Sequence, residues 1–347
     1  MTKDEKYIAR CIQLARNGKC NAAPNPMVGA VIVHNDTIIG EGYHIRCGEA
    51  HAEVNAIRSV KDESLLKEST IYVSLEPCSH YGKTPPCCDL IIKEGIRHVV
   101  IGTTDNNERV NGAGIARMKK AGIDVVVGVL EDECLSINRP FFTYNRSARP
   151  SITLKWAQTA DGFIDIERKE GAPLHISTPV SQVAVHKLRA MHDAILVGRR
   201  TALLDNPTLT VRCWSGRSPL RLVIDREGSL PASLHLFDGD HPTVIFTERT
   251  DKAKCVNNVI QHKLDFSDDI LDGIMDYLYA NKIGSLLVEG GAQLLQSFID
   301  RDLWDEIRIE TNQGLVLSNG VPAPILPAGV KKEVSNCFGN VITTISW

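Results

Sequence analysis

The sequence predicts two consecutive α/β domains, residues 1–145 and 150–347. Segments with the 3.6-residue periodicity of amphipathic helices alternate with short apolar segments typical of buried strands. A chain of 347 residues also exceeds the roughly 250 to 300 residues at which single cores stop growing. The basic segment 139–150, which contains two prolines, interrupts the alternation, and we expect irregular chain there.

The first domain is expected to have three layers, with helices on both faces of a sheet. Residues 3–17 carry apolar side chains at helical spacing, followed by Gly18 as a candidate helix cap. Asn35 and Asp36 separate the apolar strands 28–33 and 37–42, a pattern typical of a hairpin. The same periodicities predict helices at 52–60, 88–94, 115–120 and 131–138, and strands at 71–75, 98–102 and 124–128.

The second domain shows the same alternation without a detectable sequence repeat of the first. Its predicted helices cover 179–192, 270–280 and 292–300. Its predicted strands cover 151–156, 194–198, 220–225, 243–247, 285–289, 306–310 and 341–346.

Composition and charge narrow the class of protein. The chain is 43% hydrophobic and 23% charged, with a net charge of −3 and no basic block, which argues against nucleic acid as a partner. Neither a signal-peptide core nor an apolar run of about 18 residues occurs, so we expect a cytoplasmic protein with no membrane partner. The ten cysteines are scattered, as expected for reduced thiols plus a metal site.

One histidine and two cysteines form the most informative pattern in the chain. His51, Cys78 and Cys87 supply three zinc ligands, which leaves a fourth position open for the water of a catalytic Zn²⁺ site. Glu53 lies two residues after the histidine, in the place of the general acid/base of a zinc deaminase. The alternative is a closed structural site with Cys88 as fourth ligand.

We expect Cys87 rather than Cys88 to be the ligand, because it directly follows Pro85 and Pro86, which stiffen the loop. Histidine at the start of a predicted helix and cysteine after a predicted strand can meet where α/β sheets hold their ligands.

The motifs around these ligands resemble a known family. Residues 24–29 (PNPMVG), 40–44 (GEGYH), 51–53 (HAE) and 75–87 (LEPCSHYGKTPPC) are similar to the deaminase half of the bifunctional riboflavin biosynthesis deaminase/reductase. Residues 154–155 (LK), 161–162 (DG), 176–178 (IST), 188–189 (LR), 195–198 (ILVG), 205–210 (DNPTLT) and 288–291 (VEGG) resemble its reductase half. The resemblance implies a cytidine-deaminase-like α/β/α domain followed by a dihydrofolate-reductase-like α/β domain.

In the first half, the resemblance implies deamination of a pyrimidine that carries a ribosylamino 5-phosphate. Asn25 and His44 would hold the base, since their side chains donate and accept in fixed directions. His80 and Lys83 would face the phosphate. Asp105 and Asn107 would bind the ribose, although the prolines usual around this pair are absent here. Asn25 could instead be a turn residue between prolines, and Lys83 a solvated loop charge.

In the second half, the resemblance implies reduction of the ribosyl chain by NADPH. Lys155, Asp205 and Glu289 would surround the reacting ribose, with Arg189 and Arg212 on its phosphate. The cofactor would contact Trp156, Ser177, Thr178, Gly198, Thr201, Gly290 and Gly291. The two glycines could also be a tight turn without a ligand, and Asp205 could cap a helix or a turn.

Two departures from the family pattern affect this half. Phe163 replaces the lysine of an Asp-Gly-Lys motif, and Arg199-Arg200 replaces a Gly-Thr pair. Arg200 could either meet a cofactor phosphate or be a solvated helix residue.

Other functions share part of this pattern. A nucleoside or nucleic-acid deaminase would need the zinc site but gives no reason for the second domain. The second domain could also be a dimerisation module without cofactor. We expect a homo-oligomer, a dimer or a tetramer, and the family resemblance implies that it acts on a small pyrimidine ribose phosphate.

Overall fold

The computed structural model describes residues 1–19, 21–81, 85–105, 112–250, 257–337 and 339–346. They form two compact units, 1–148 and 149–347. None of the described helices is long and apolar enough to cross a membrane.

Unit 1 alternates short helices and strands. Its helices are α1 (Lys3–Ala15), α2 (Ala52–Arg58), α3 (Cys87–Lys93), α4 (Ala113–Lys120), α5 (Glu131–Ile137) and α6 (Arg139–Ser147). Its strands are β1 (Gly29–His34), β2 (Thr37–Tyr43), β3 (Thr70–Leu75), β4 (His98–Thr103) and β5 (Asp124–Val127).

The sheet of unit 1 has the order β2-β1-β3-β4-β5. Strand β1 runs antiparallel to both its neighbours, whereas β3, β4 and β5 are parallel. Successive side chains of β1 face opposite sides of the sheet. Ile32 packs in the core cluster with α2, α3 and α4, and Val31 packs in the core cluster with α1 and α5. Burial on both faces gives the predicted three layers.

Unit 2 is larger and also alternates helices and strands. Its helices are α7 (Pro179–Ala190), α8 (Arg199–Asp205), α9 (Ile270–Ala280) and α10 (Ala292–Asp300). Its strands are β6 (Ser151–Thr159), β7 (Phe163–Asp165), β8 (Ala194–Gly198), β9 (Leu220–Ile224), β10 (Thr243–Thr247), β11 (Val259–Lys263), β12 (Ser285–Val288), β13 (Glu306–Asn312), β14 (Val321–Pro322), β15 (Lys332–Cys337) and β16 (Asn340–Ser346).

Nine of these strands form one sheet in the order β11-β10-β9-β8-β12-β6-β13-β16-β15. The strands from β11 to β13 are all parallel, and β16 and β15 are added antiparallel at one edge. One core cluster covers the face that packs on α9 and α10, and a second covers the opposite face. The carboxyl ends of β6, β12, β8 and β9 therefore lie at the same edge of the sheet.

The structure corrects two sequence predictions in unit 1. Residues 139–147 form helix α6 and are not irregular chain, because Pro140 lies in the first helical turn, where a proline is tolerated, and Phe142 is buried. Gly18 does not cap α1 in a left-handed conformation; a 3₁₀ turn over Arg16–Gly18 continues the helix. A Cβ on Gly18 would lie 2.6 Å from the carbonyl oxygen of His44, so a close approach explains this glycine.

In unit 2 the predictions missed α8, β7, β11, β14 and β15.

The hairpin between β1 and β2 of unit 1 was predicted correctly. Asn35 and Asp36 both have left-handed φ values, 46° and 60°, as a two-residue turn between twisted strands requires.

Candidate deaminase and reductase sites

The three predicted zinc ligands meet between two helix starts and a strand end. His51 directly precedes α2, Cys87 is the first residue of α3, and Cys78 follows β3. The Nδ1 atom of His51 lies 3.3 Å from Sγ of Cys87 and 3.5 Å from Sγ of Cys78. All three ligand atoms lie within 4.8 Å of one another, as donors to one tetrahedral ion must. One nitrogen and two sulfur donors at this spacing fit zinc.

Cys88 points away from this group. Its side chain is fully buried in the core cluster of α2, α3 and α4, and burial raises the pKa of its thiol to about 11. In the described part of the chain, His51, Cys78 and Cys87 form a group of three ligands without a fourth protein donor. This arrangement matches an open catalytic site rather than the closed alternative.

The thiol of Cys78 is arranged to lose its proton, whereas the hydrogen bond of Cys87 to Cys78 and the burial of Cys87 raise the pKa of Cys87. Hydrogen bonds from the Cys87 thiol and from His51 lower the pKa of Cys78 to about 4. The backbone N–H of Cys87 also donates to Sγ of Cys78, at 3.3 Å. Thiolate is the form that binds metal, so the site favours the ligand state of Cys78.

Glu53 lies in the first turn of α2, and only 3% of its surface is exposed. Burial raises the pKa of its carboxyl to about 7, and the negative charge of Cys78 acts in the same direction. A bound cation would act in the opposite direction. A carboxyl group that titrates near neutral pH can both accept and donate a proton, which is the requirement for acid/base catalysis.

Asn25 and His44 form a hydrogen-bonded pair beside the ligands. Nδ1 of His44 lies 3.1 Å from the carbonyl oxygen of Ala50, so Nδ1 carries the proton, and Nε2 accepts from Asn25 Nδ2 at 3.1 Å. Burial lowers the pKa of His44, in keeping with this neutral form. The His44 ring packs edge-on against the His51 ring, with centroids 5.4 Å apart.

The predicted phosphate and ribose contacts are only partly described. His80 is exposed, and Asp105 is buried, with its backbone N–H donating to Glu76 at 3.3 Å. Lys83 and Asn107 lie outside the described residues.

Glu76 is a residue that the sequence predictions gave no role. Only 4% of its surface is exposed, and its carboxylate accepts backbone N–H bonds from Asp105, Gly112, Gly114 and Ile115 at 3.0 to 3.3 Å. It therefore joins the segment before Cys78 to the start of α4. The sequence signal that could have indicated a role for Glu76 was its position directly before Pro77 in the motif of residues 75–87.

In unit 2, a cavity of about 940 Å³ lies at the carboxyl ends of the parallel strands. Most residues predicted for the reductase line it: Lys155, Trp156, Ser177, Arg189, Gly198, Thr201, Asp205, Arg212, Glu289, Gly290 and Gly291. Thr178 does not line it; its hydroxyl caps α7 by accepting from the Ser181 N–H. Seven basic and three acidic side chains are among the lining residues that the structure describes, so the cavity suits anionic ligands.

Glu289 and Lys155 are brought together by strand register. Val288 pairs with Leu154 across β12 and β6, so the residues that follow them, Glu289 just after β12 and Lys155 within β6, lie beside each other. Arg189 holds Glu289 with two bonds, Nε to Oε1 at 3.1 Å and Nη2 to Oε2 at 2.6 Å. Burial acts to raise the pKa of Glu289, but the charge and hydrogen bonds of Arg189 lower it. Burial lowers the pKa of Lys155, against the opposing charges of Glu289 and Glu310.

Asp205 ends α8 and forms an ion pair with Arg168, which also binds Asp165 at 2.8 Å. The Arg168 side chain is 5% exposed. Sequence reasoning missed Arg168, because the charged run 167–170 has the composition of a solvated loop. Arg212, by contrast, is exposed, and its backbone N–H donates to Nδ1 of His186 at 3.0 Å.

The turn after β12 fits a dinucleotide. Gly290 and Gly291 have φ values of 159° and 80°, and a Cβ on Gly290 would lie 2.9 Å from Cγ2 of Thr201. Two adjacent residues without side chains leave the backbone accessible to a pyrophosphate.

Two other residues predicted to contact the cofactor have partners within the protein. Ser177, on the cavity wall, donates to the buried carboxylate of Glu310 at 2.7 Å, while Trp156 donates to Gln158 at 2.8 Å.

Comparison with known proteins agrees with both sites. Residues 1–103 match the cytidine and deoxycytidylate deaminase zinc-binding region, and residues 150–313 match the RibD C-terminal domain. The riboflavin biosynthesis protein RibD of Aquifex aeolicus is 39% identical over 307 residues, which cover 88% of this chain and 85% of that protein. The chain belongs to the RibD family.

Further relatives extend the likeness to full length. RibD of Escherichia coli is 36% identical over 321 residues, covering 88% of this chain and 86% of that protein. The crystal structure of the Thermotoga maritima diaminohydroxyphosphoribosylaminopyrimidine deaminase/5-amino-6-(5-phosphoribosylamino)uracil reductase is 36% identical, with a TM-score of 0.89, and covers 99% of this chain and 98% of that one.

The predicted fold class is thereby confirmed: a cytidine-deaminase-like domain precedes a RibD reductase domain related to dihydrofolate reductase. As a RibD, the chain is a bifunctional deaminase and reductase of riboflavin biosynthesis. Its cofactors are zinc and NADPH.

Proposed function

We propose that this RibD deaminates 2,5-diamino-6-ribosylamino-4(3H)-pyrimidinone 5′-phosphate and then reduces the ribosyl chain of the product to ribityl. The observation that carries the proposal is the presence of an open three-ligand site in unit 1 together with a basic cavity in unit 2. We assign the deaminase to residues 1–145 and the reductase to residues 150–347.

For deamination, we assign the metal to His51, Cys78 and Cys87. Zinc bound there would act as a Lewis acid and activate water at neutral pH. Glu53 takes a proton from that water and delivers it to the departing ammonia. Water adds across the ring C=N bond, with its oxygen on the carbon and one proton on the ring nitrogen, and the bond to the amine then breaks as the second proton leaves with ammonia, so a carbonyl replaces the amine.

Substrate recognition in this half is assigned to the two ends of the molecule. The Asn25–His44 pair holds the base, which is supported by its fixed tautomer and its contact with His51. His80, Lys83, Asp105 and Asn107 are assigned to the ribose phosphate.

For reduction, NADPH supplies hydride to the first carbon of the opened ribose. Lys155, Asp205 and Glu289 surround that carbon, and Lys155 is the group that can donate the accompanying proton, since burial has lowered its pKa. Arg212, exposed on the cavity wall, is assigned to the substrate phosphate. Arg189 adds charge there while its planar fork holds Glu289.

The cofactor is assigned to the turn Gly290–Gly291 with Gly198 and Thr201, and to Trp156, Ser177 and Thr178. Thr178 acts through the start of α7, which it caps. We further propose a homo-oligomer, a dimer or tetramer, that works in the cytoplasm on this small molecule and on neither nucleic acid nor membrane.

The test follows ammonia and NADPH separately. Purified zinc-loaded protein is given the diaminopyrimidinone phosphate with and without NADPH. We expect ammonia release in both cases, and NADPH oxidation only after deamination or with pre-deaminated substrate. Release of ammonia from cytidine or tRNA at comparable rates, or failure to oxidise NADPH with either pyrimidine, would contradict the proposal.

A further inference from the structure

A buried carboxylate lies behind the wall of the reductase cavity. Only 2% of the surface of Glu310 is exposed, and its side chain is not part of the cavity lining. It belongs to β13, which pairs in parallel with β6, the strand of Lys155. A buried charge is costly unless hydrogen bonds and opposite charges compensate for it, so its presence here calls for a physical explanation.

Glu310 anchors a segment that forms one wall of the cavity. The Ser177 hydroxyl donates to its Oε2 at 2.7 Å, and Nδ2 of Asn340 in β16 donates to its Oε1 at 2.6 Å. Two residues further along β13, Nδ2 of Asn312 donates to the carbonyl oxygen of Ile176 at 2.9 Å. Ile176 and Ser177 both line the cavity, so β13 holds this wall at two successive residues.

Glu310 also lies on the same face of the sheet as Lys155. Ile309 and Trp156 belong to the core cluster that packs on α9 and α10. Because side chains alternate along a strand, Lys155 and Glu310 both face the opposite side. Arg308 pairs with Lys155 across the two strands, and Glu310 follows two residues later, towards the carboxyl ends. The carboxylate is therefore a diagonal neighbour of the Lys155 side chain.

Charged side chains from three elements act on Lys155: Glu289 after β12, Glu310 and Arg308 in β13, and Arg189 in α7. Arg189 binds Glu289 with two hydrogen bonds, which compensates part of that negative charge. Glu310 is bound by neutral groups, a hydroxyl and an amide, so its charge remains available to Lys155. His186, the other titratable side chain of α7 on the cavity wall, is buried, and burial lowers its pKa.

The surroundings of Glu310 keep its carboxyl group ionised. Burial acts to raise the pKa of Glu310, but its hydrogen bonds and the charge of Lys155 lower it. The interaction is mutual, since the charge of Glu310 also favours the protonated form of Lys155.

We propose that Glu310 is a positioning residue of the reductase, whose carboxylate holds Lys155 in the ammonium form and Ser177 in the cavity wall. This role rests on the proton transfer by Lys155 proposed above, and Glu310 acts through Lys155 without touching the substrate. Because the ammonium is the form that donates a proton, removal of the Glu310 charge should make Lys155 lose its proton at lower pH.

The pH profile of kcat for NADPH-dependent reduction of pre-deaminated substrate tests this in full-length, zinc-loaded protein. Glu310→Gln removes the charge and keeps the shape, because its amide N–H can donate to Ser177 while its carbonyl oxygen accepts from Asn340. We expect the ratio of kcat at about pH 9 to kcat at about pH 7 to fall about tenfold, and KM for NADPH to change by less than about twofold. Glu310→Asp keeps the charge and should keep most of this ratio. Glu306→Gln, at the other end of β13 and outside the cavity, is the matched control and should leave the profile unchanged.

Arg308→Gln separates the effect of charge from damage to the strand. Arg308 acts on Lys155 with the opposite sign to Glu310, so its removal should move the alkaline loss of kcat to higher pH. A substitution that only disturbed β13 would instead lower kcat at every pH.

Competitive labelling with acetic anhydride follows the protonation of Lys155 without catalysis. Peptide mass spectrometry measures the labelled fraction of Lys155 against pH, with the exposed Lys332 as internal reference. We expect the Lys155 curve to move to lower pH in Glu310→Gln and to higher pH in Arg308→Gln, with the Lys332 curve unchanged.

An unchanged Lys155 curve in Glu310→Gln, or an equal loss of kcat at all pH values in both variants, would overturn the inference. If the labelling curves moved as expected but wild type oxidised no NADPH with pre-deaminated substrate, the proposed reductase function would fail while the effect of Glu310 on Lys155 stood.

Discussion

We propose Glu53 as the side chain that transfers the proton in the deaminase half. We expect Glu53→Gln to keep its zinc and to lose ammonia release by a factor of about 10² to 10⁴, because the amide keeps the shape but cannot carry the proton. Metal analysis and an ammonia assay measure the two quantities. Loss of zinc together with activity would make Glu53 a structural residue instead.

The adjacent cysteines provide a matched pair of substitutions. Cys87→Ser should lower the zinc content, because Sγ of Cys87 lies 3.3 Å from the ligand nitrogen of His51. Cys88→Ser should keep its zinc, although burying a hydroxyl in the core can reduce stability. The reverse pattern of zinc contents, measured on folded protein, would move the third ligand by one residue.

At this scale the sequence predicted the residues that come together at the candidate sites better than those that support them. Spacing alone identified His51, Cys78 and Cys87, because a metal restricts both residue type and geometry. Arg168 and Glu76 were missed, since a buried ion pair or a carboxylate that binds backbone N–H groups leaves no local sequence pattern. Their partners are distant in the chain.

The start of helix α2 positions both His51, which directly precedes it, and Glu53 in its first turn, and the helix packs closely against β2. A Cβ on Gly42 would lie 2.6 Å from the carbonyl oxygen of Ala52. We expect Gly42→Ala to push α2 outward, to destabilise the protein by roughly 1 to 3 kcal/mol and to lower zinc affinity. The thermal midpoint and a zinc titration measure both effects.

Thr37→Ala, at an exposed position of the same strand, is the control and should leave both quantities nearly unchanged. A Gly42→Ala protein with the stability and zinc affinity of wild type would show that α2 can shift without cost.

Strand β9 contains a fully buried arginine. Arg221 binds Thr243, Asp238 and the carbonyl oxygens of His235 and His241 at 2.8 to 2.9 Å. Arg221→Met would leave these groups unpaired, and we expect a loss of roughly 3 to 5 kcal/mol in the free energy of unfolding. Urea unfolding measures it, and Arg217→Met, which breaks an ion pair whose arginine is 57% exposed, should cost at most about 1 kcal/mol.

The stabilisation from the ion pair of Arg221 with Asp238 has a defined pH dependence. Arg221 lowers the pKa of Asp238 below its usual 3.8. A carboxylate with a depressed folded pKa stabilises the protein above its unfolded pKa and loses that contribution as pH falls through the folded value. The difference between wild type and Arg221→Met should therefore shrink below about pH 4. A difference that stayed constant from pH 7 to pH 3 would contradict this.

The elements that the sequence predicted are those with buried, periodic faces, such as β8 and α9. It missed α6, because Pro140 and the basic residues resemble a linker, whereas the helix is stabilised by burial of Phe142. It missed β15 because every residue from Lys332 to Asn336 is exposed, so the strand exists through its pairing with β16 and not through a buried face. Tertiary context decided both cases.

At the scale of the whole molecule, each unit holds its own candidate site. The ligands of the metal and Glu53 all lie in unit 1, and every lining residue of the large cavity lies in unit 2. Deamination requires the base at the metal, whereas hydride transfer requires the ribose against the nicotinamide, so one pocket cannot hold both arrangements. We therefore expect the two reactions to be chemically independent.

The most direct test is a pair of single substitutions assayed for both reactions. Glu53→Gln should abolish ammonia release and leave NADPH-dependent reduction of pre-deaminated substrate at the wild-type rate. Asp205→Asn should do the reverse, because Asp205 lines only the unit 2 cavity. If either substitution silenced both reactions in protein that remained folded and zinc-loaded, the assignment of one complete site to each unit would be contradicted.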